Sequence, residues 1–160
     1  MKLVNSDYEI ATLEDELRVD ALCRELLLAF YSDRLGAGID EHEATLLANS
    51  ADYFIRDFLI GARQLNILET GSGVVRTFAG NWYIVNTLEP DSSELETHLK
   101  GICEFYRFLA GHQAIPAAAF REIEKECQDI GYYRQRIDSF WDIQGDGYFA
   151  WEEECSLKNG

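Results

Sequence analysis

The chain has 160 residues, 47% of them hydrophobic and 12% aromatic, with two prolines. That composition excludes a disordered chain and fits one globular domain with room for long helices. A formal net charge of −15 argues against nucleic-acid surfaces and anionic membranes, which both require basic patches. The same charge suits solubility, cation binding or a basic protein partner.

The spacing predicts a first helix from about Thr12 to Leu35, capped by Thr12 and stopped at Gly36 and Gly38. Leu13, Leu17, Ala21 and Leu28 share its apolar face, with Leu22 and Ala29 near the edge. A second helix starts at Asp40, where Asp40 and Glu43 have capping-box spacing and Ile39 can serve as a staple. Its stripe is Ala44, Leu47, Ala51, Phe54 and Phe58. Residues 65–73 read as a loop or a short extended piece. A third helix is expected over Val74–Val85, with Val74, Phe78 and Trp82 four apart.

After the break at Pro90, Ser93 and Glu96 are placed to cap a fourth helix carrying Leu95, Leu99, Ile102, Tyr106 and Leu109. Gly111 ends it. A fifth helix starts near Pro116, with Phe120, Ile123, Cys127 and Ile130 on one side. Gly131 is expected to break or bend the chain before a last helix, Tyr132–Trp141. No strand shows convincing alternation. The fold class expected is all-α: one compact domain of five to six helices with short loops, spanning 1–141, followed by an acidic segment over 142–160.

Several constellations touch on chemistry. Ile67-Leu68-Glu69-Thr70-Gly71-Ser72-Gly73 resembles the first motif of class I methyltransferases, but Val75 stands where a third glycine belongs, and no strand–helix alternation follows. The milder reading is an anion site at the start of the third helix, near Arg76. Glu94 and His98 lie four apart, which is the spacing of a surface pair. Cys23, Cys103 and Cys127 fall on apolar helical faces as reduced thiols, and none of the four cysteines forms a C-x-x-C pair. No nucleophile elbow or H-E-x-x-H arrangement appears, so the chain carries no enzyme signature.

The most specific segment is Asp142 to Glu153. A calcium loop of twelve residues needs oxygens at positions 1, 3, 5, 7, 9 and 12, and a glycine at 6. Asp142, Gln144, Asp146, the Tyr148 carbonyl and Glu153 supply all but the ninth, where Ala150 leaves a vertex to water. Gly147 occupies the glycine position, where positive φ is expected. Over this loop and the preceding helix the chain resembles the EF-hand family, and the resemblance implies calcium as ligand. Gln144 is neutral and no second loop is present to pair with, so the expected affinity is weak, on the order of 10⁻⁴ M or poorer. The competing reading is a plain acidic turn that packs Trp151 and Phe149 onto the domain.

Leu27-Leu28-Ala29-Phe30-Tyr31, the helix from Asp40, and the stretch from Leu95 to Ile115 resemble the core-binding domain of tyrosine recombinases, over roughly residues 20–130. That resemblance implies shared architecture; the catalytic arginines and tyrosine have no counterparts that can be assigned here.

No apolar stretch reaches the length of a membrane span, and Met1–Glu14 lacks the pattern of a signal peptide. The expected location is therefore the cytoplasm. The reading from sequence is a non-enzymatic helical interaction protein, with a basic protein partner or self-association, and a calcium site at 142–153. The alternatives are a DNA-associated accessory module and an enzyme of unrecognised type.

Overall fold

The computed structural model describes residues 1–143, 145 and 147–154, and these form an all-α domain. After a 3₁₀ turn at Asn5–Tyr8 come α1 (Leu13–Gly36), α2 (Glu41–Asp52) and a π-helical continuation, π1 (Tyr53–Ala62). A loop leads to α3 (Val74–Thr77), π2 (Phe78–Trp82) and α4 (Tyr83–Val85), which run on as one rod. Then follow α5 (Ser92–Gly111), α6 (Ala117–Cys127), α7 (Ile130–Trp141) and a short α8 (Tyr148–Glu153). There is no strand among the described residues, so 65–73 is a turn-containing loop and the glycines at 71 and 73 belong to no sheet. No described helix is long and apolar enough to cross a membrane.

Local side-chain caps set the starts of α1, α2 and α5. Thr12 caps α1 in a full capping box, its Oγ1 accepting from the Asp15 N–H at 3.1 Å while the Asp15 carboxylate accepts from the Thr12 N–H at 3.2 Å. Asp40 accepts from the Glu43 N–H at 2.8 Å. The fourth predicted helix starts earlier than the Ser93–Glu96 spacing suggests. Its cap is Asp91, whose carboxylate accepts from Glu94 N–H at 3.1 Å, because Asp binds the freed amides at least as well as Ser. Gly131 neither breaks nor bends the chain out of helix; it lies inside α7.

The predicted stripes of α2, π1 and α5 are all buried: Ala44, Leu47, Ala51, Phe54 and Phe58 face Leu95, Leu99, Ile102, Tyr106 and Leu109 across one core. The α2–α5 crossing is close because position 101 is glycine. A Cβ there would fall 2.5 Å from Ser50 Cβ and 2.7 Å from the Leu47 carbonyl. Between π1 and π2 the rings of Phe54, Phe58, Phe78 and Trp82 interlock, with Phe54–Phe78 edge to face at 5.1 Å.

The first helix departs from expectation. Its packed face is Val19, Cys23, Leu26, Leu27 and Phe30, whereas Leu13, Leu17 and Leu28 are 71%, 66% and 67% exposed and Ala21 is exposed with them. Both sides of α1 are apolar, so periodicity alone does not choose between them.

Candidate functional site: an exposed helix face

The segment from Asp142 to Glu153 leaves the end of α7 and contains the whole of α8. Asp142 follows the last residue of α7 and is exposed, Tyr148 opens α8 and is half-buried, and Glu153 ends α8 and is exposed. Gln144 and Asp146 lie outside the described residues. Gly147 does not carry the expected positive φ; it has φ −64°, and the left-handed glycine is Gly145 at φ +60°. The exit helix thus begins at the loop's seventh position, and the Tyr148 carbonyl points along the helix axis.

What holds α8 down is Trp151, 3% exposed, whose Nε1–H lies 3.1 Å from the Arg136 carbonyl and 3.0 Å from Ser139 Oγ. The Arg136 guanidinium sits 3.9 Å from the Trp151 ring centroid and donates to the carbonyls of Gly80 and Trp151, both at 2.8 Å. Phe149 stays 72% exposed, so only one of the two aromatics packs. Trp141, the last residue of α7, is 56% exposed. Among the described residues no group of three His, Cys, Asp or Glu side chains is arranged to hold a metal ion.

The anion site suggested at the start of α3 is already filled from within. Glu126 of α6, 6% exposed, accepts from the Gly73 N–H at 2.8 Å and the Arg76 N–H at 2.9 Å. Arg76 itself turns to Asp129, at 2.8 Å.

His98 is more enclosed than a surface pair. Its Nδ1 lies 3.2 Å from Ser50 Oγ, and its Nε2 lies 3.9 Å from a Glu94 oxygen that also accepts from the Tyr83 hydroxyl at 2.8 Å. The rings of Tyr53 and Tyr83 flank it at 5.0 and 5.7 Å. Burial lowers the His98 pKa from its ordinary value, with Glu94 opposing the shift. A serine, a histidine and a carboxylate in series suggest a nucleophile relay, but Ser50 is 3% exposed under Gly101 and cannot present its Oγ to a substrate. The cluster joins α2, the α4 rod and α5.

A row of exposed apolar residues runs along the outer side of α1. Leu13, Leu17, Ala21, Arg24, Leu28, Tyr31 and Leu35 recur at spacings of three and four and lie along one side of the helix. Beside the stripe's C-terminal half runs a groove of about 480 Å³ between α1 and α2, floored by Leu27, Leu28 and Ala48 and edged by Tyr31, Thr45 and Asn49. At one end Arg56 is held by Asp20 and Asp52, both at 2.8 Å, and Arg24 pairs with Asp20 at 3.2 Å. Arg56 lowers the Asp20 pKa through its hydrogen bond, so that end is a fixed, internally neutralised clamp. Along α1 the charged residues are Glu14, Asp15, Glu16, Asp20, Glu25 and Asp33 against Arg18, Arg24 and Arg34.

The sequence contained the signal for this surface: a helix of 24 residues with apolar residues on two sides has one more face than a peripheral helix needs. Comparison of the sequence with family models and with curated proteins, and of the structure with solved structures, finds no match.

Proposed function

We propose that this protein is a helical interaction module that receives an amphipathic helix of a basic partner protein on the outer side of α1 and in the α1–α2 groove. The observation that carries the reading is the set Leu13, Leu17 and Leu28, three leucines about two-thirds exposed on one side of one helix. Scattered exposed leucines need no explanation; a row at helical spacing beside a groove is the form of a helix-binding site. The net charge of −15 favours a partner with Lys and Arg beside its apolar stripe. The cations Arg18, Arg24, Arg34, Arg56, Arg76, Lys100, Arg107 and Arg134 are each paired with a carboxylate, which weighs against a phosphate-binding stripe and supports a protein over DNA.

Calorimetry with two designed amphipathic helical peptides, identical in their leucines and flanked by Lys/Arg or by Glu, tests this. The basic peptide is expected to bind the wild-type chain, and a Leu17→Lys/Leu28→Lys variant is expected not to bind it. Equal binding of both peptides, or undiminished binding by the variant, overturns the reading. A wild-type dimer in sedimentation that the variant abolishes would replace the basic partner with a second copy of the chain.

The calcium reading of Asp142, Gln144, Asp146, Tyr148 and Glu153 stands as a second proposal. It is supported by the residue types at the first, third, fifth and twelfth positions, Asp142, Gln144, Asp146 and Glu153. Titration with millimolar calcium should give heat in the wild type and none in Glu153→Gln. No heat beyond dilution, or an equal response in the variant, removes calcium from the account.

A further inference from the structure

Cys103 stands mid-way along α5, and Cys127 is the last residue of α6. α5 and α6 pack against each other, and the Arg107–Glu124 ion pair between them sets a register in which Cys103, one turn before Arg107, faces Cys127, one turn after Glu124. Cys103 is half-buried, while Cys127 is 6% exposed behind it. One turn along α5, Arg107 places Nη2 4.0 Å from the Cys103 sulfur. Arg107 is itself fixed by Glu124 at 3.1 Å and Glu104 at 3.5 Å, and lies 5.0 Å from the Phe120 ring centroid. This gives an outer thiol with a cation beside it and an inner thiol facing it. The third described cysteine, Cys23, is fully buried on α1, where burial pushes its thiol up to about 12.

We propose that Cys103 and Cys127 form a redox-active dithiol, which hydroperoxides convert into an intramolecular disulfide joining α5 to α6. The Cys103 thiolate attacks the terminal oxygen of the hydroperoxide. A sulfur–oxygen bond forms, the oxygen–oxygen bond breaks, and the alkoxide or hydroxide leaving group takes up the proton lost by Cys103. Cys103 is oxidised by two electrons to a sulfenic acid, and the peroxide is reduced to an alcohol or water. Cys127 then attacks the Cys103 sulfur, the sulfur–sulfur bond forms, and the sulfenic oxygen departs as water with the Cys127 proton. The Cys127 S–H donating to Cys103 holds the Cys103 thiol below its ordinary value, with Arg107 adding to the effect and burial opposing it; the Cys127 thiol is held high by the same hydrogen bond and by burial. Half-buried beside Arg107, Cys103 takes the attacking role, and Cys127, 6% exposed behind it, takes the resolving one.

The test uses the full chain, reduced and then treated with equimolar hydrogen peroxide before alkylation of the remaining thiols. Of four cysteines, two are expected to escape alkylation, and dithiothreitol should restore both. Tryptic mapping should find peptide 101–107 linked to peptide 126–134. Cys127→Ala should instead give a sulfenic acid at Cys103 that dimedone traps. Cys103→Ser should lose the two-thiol response while its circular dichroism matches the wild type. Retention of four alkylatable thiols by the wild type, a linkage through any other cysteine, or an unchanged two-thiol response in folded Cys103→Ser overturns the proposal.

Discussion

Glu126 caps the start of α3 from a position 53 residues further along the chain, its carboxylate accepting from the Gly73 N–H at 2.8 Å. The second oxygen takes the Arg76 N–H at 2.9 Å, so one buried side chain satisfies two of the amides that a helix start leaves free. Glu126→Ala should therefore cost about 3 kcal/mol, because both amides lose a charged acceptor in a dry setting. Glu126→Gln, which keeps one acceptor oxygen, should cost roughly half as much. Urea unfolding measures both, read as a lowered midpoint at unchanged slope.

Gly101 controls how closely α2 and α5 approach. With a new Cβ only 2.5 Å from Ser50 and 2.7 Å from the Leu47 backbone, Gly101→Ala must separate the two helices. The gain in helix propensity, about 1 kcal/mol, is too small to offset overpacking against a carbonyl, and a net loss of about 2 kcal/mol is expected. Ser50→Gly in the same chain removes only the closer contact, so it should recover part of the loss in thermal unfolding.

The two sides of α1 should respond in opposite ways to substitution. Leu26→Ala removes a side chain that is 3% exposed and should cost about 2–5 kcal/mol. Leu17→Lys and Leu28→Lys place charge where water already is and should change stability by no more than about 0.5 kcal/mol. A large loss of melting temperature in either lysine variant would show that this side is packed rather than free.

How much of this was readable from the sequence depended on whether the deciding contact was local. Ala44 through Phe58 and Leu95 through Leu109 were legible because each helix has one apolar stripe and a charged opposite side. α1 was not, because Leu17 and Leu28 match the helical period as well as Val19 and Phe30 do; only the position of α2 decides between them. Thr12 and Asp40 announced themselves by spacing. Glu126 could not, since a cap delivered from another helix leaves no mark near Gly73. The loop at 142–153 was read from residue types, and the residue types do not fix which glycine turns: Gly145 takes the left-handed conformation, while Gly147 leads directly into α8.

His98 gives the fold a pH dependence with a definite sign. Burial lowers its folded-state pKa beneath the ordinary 6.5, so the unfolded chain binds the proton more readily. Stability from this site is present above about pH 6.5 and falls as pH drops through the window below it. His98→Asn should flatten the pH–stability curve between pH 7 and 5 relative to the wild type, measured by denaturant midpoints at each pH. An unchanged slope would mean that other groups dominate this range.

The wide turns at Tyr53–Ala62 and Phe78–Trp82 alter the phase of the helical repeat on either side of them. A π turn accommodates an extra residue without ending the rod, so the apolar positions after it are offset from those before it. Deleting a single residue within Phe78–Trp82 would let the rod continue as a regular α-helix. The downstream residues would keep their orientation, because the deletion removes only the residue that the wide turn absorbs. Tyr83 and Ile84, both fully buried, would stay in the core, and the Tyr83 hydroxyl would stay on Glu94. In this region the chain should therefore tolerate loss of one residue better than a regular helix does, where the same deletion turns everything downstream by roughly 100°.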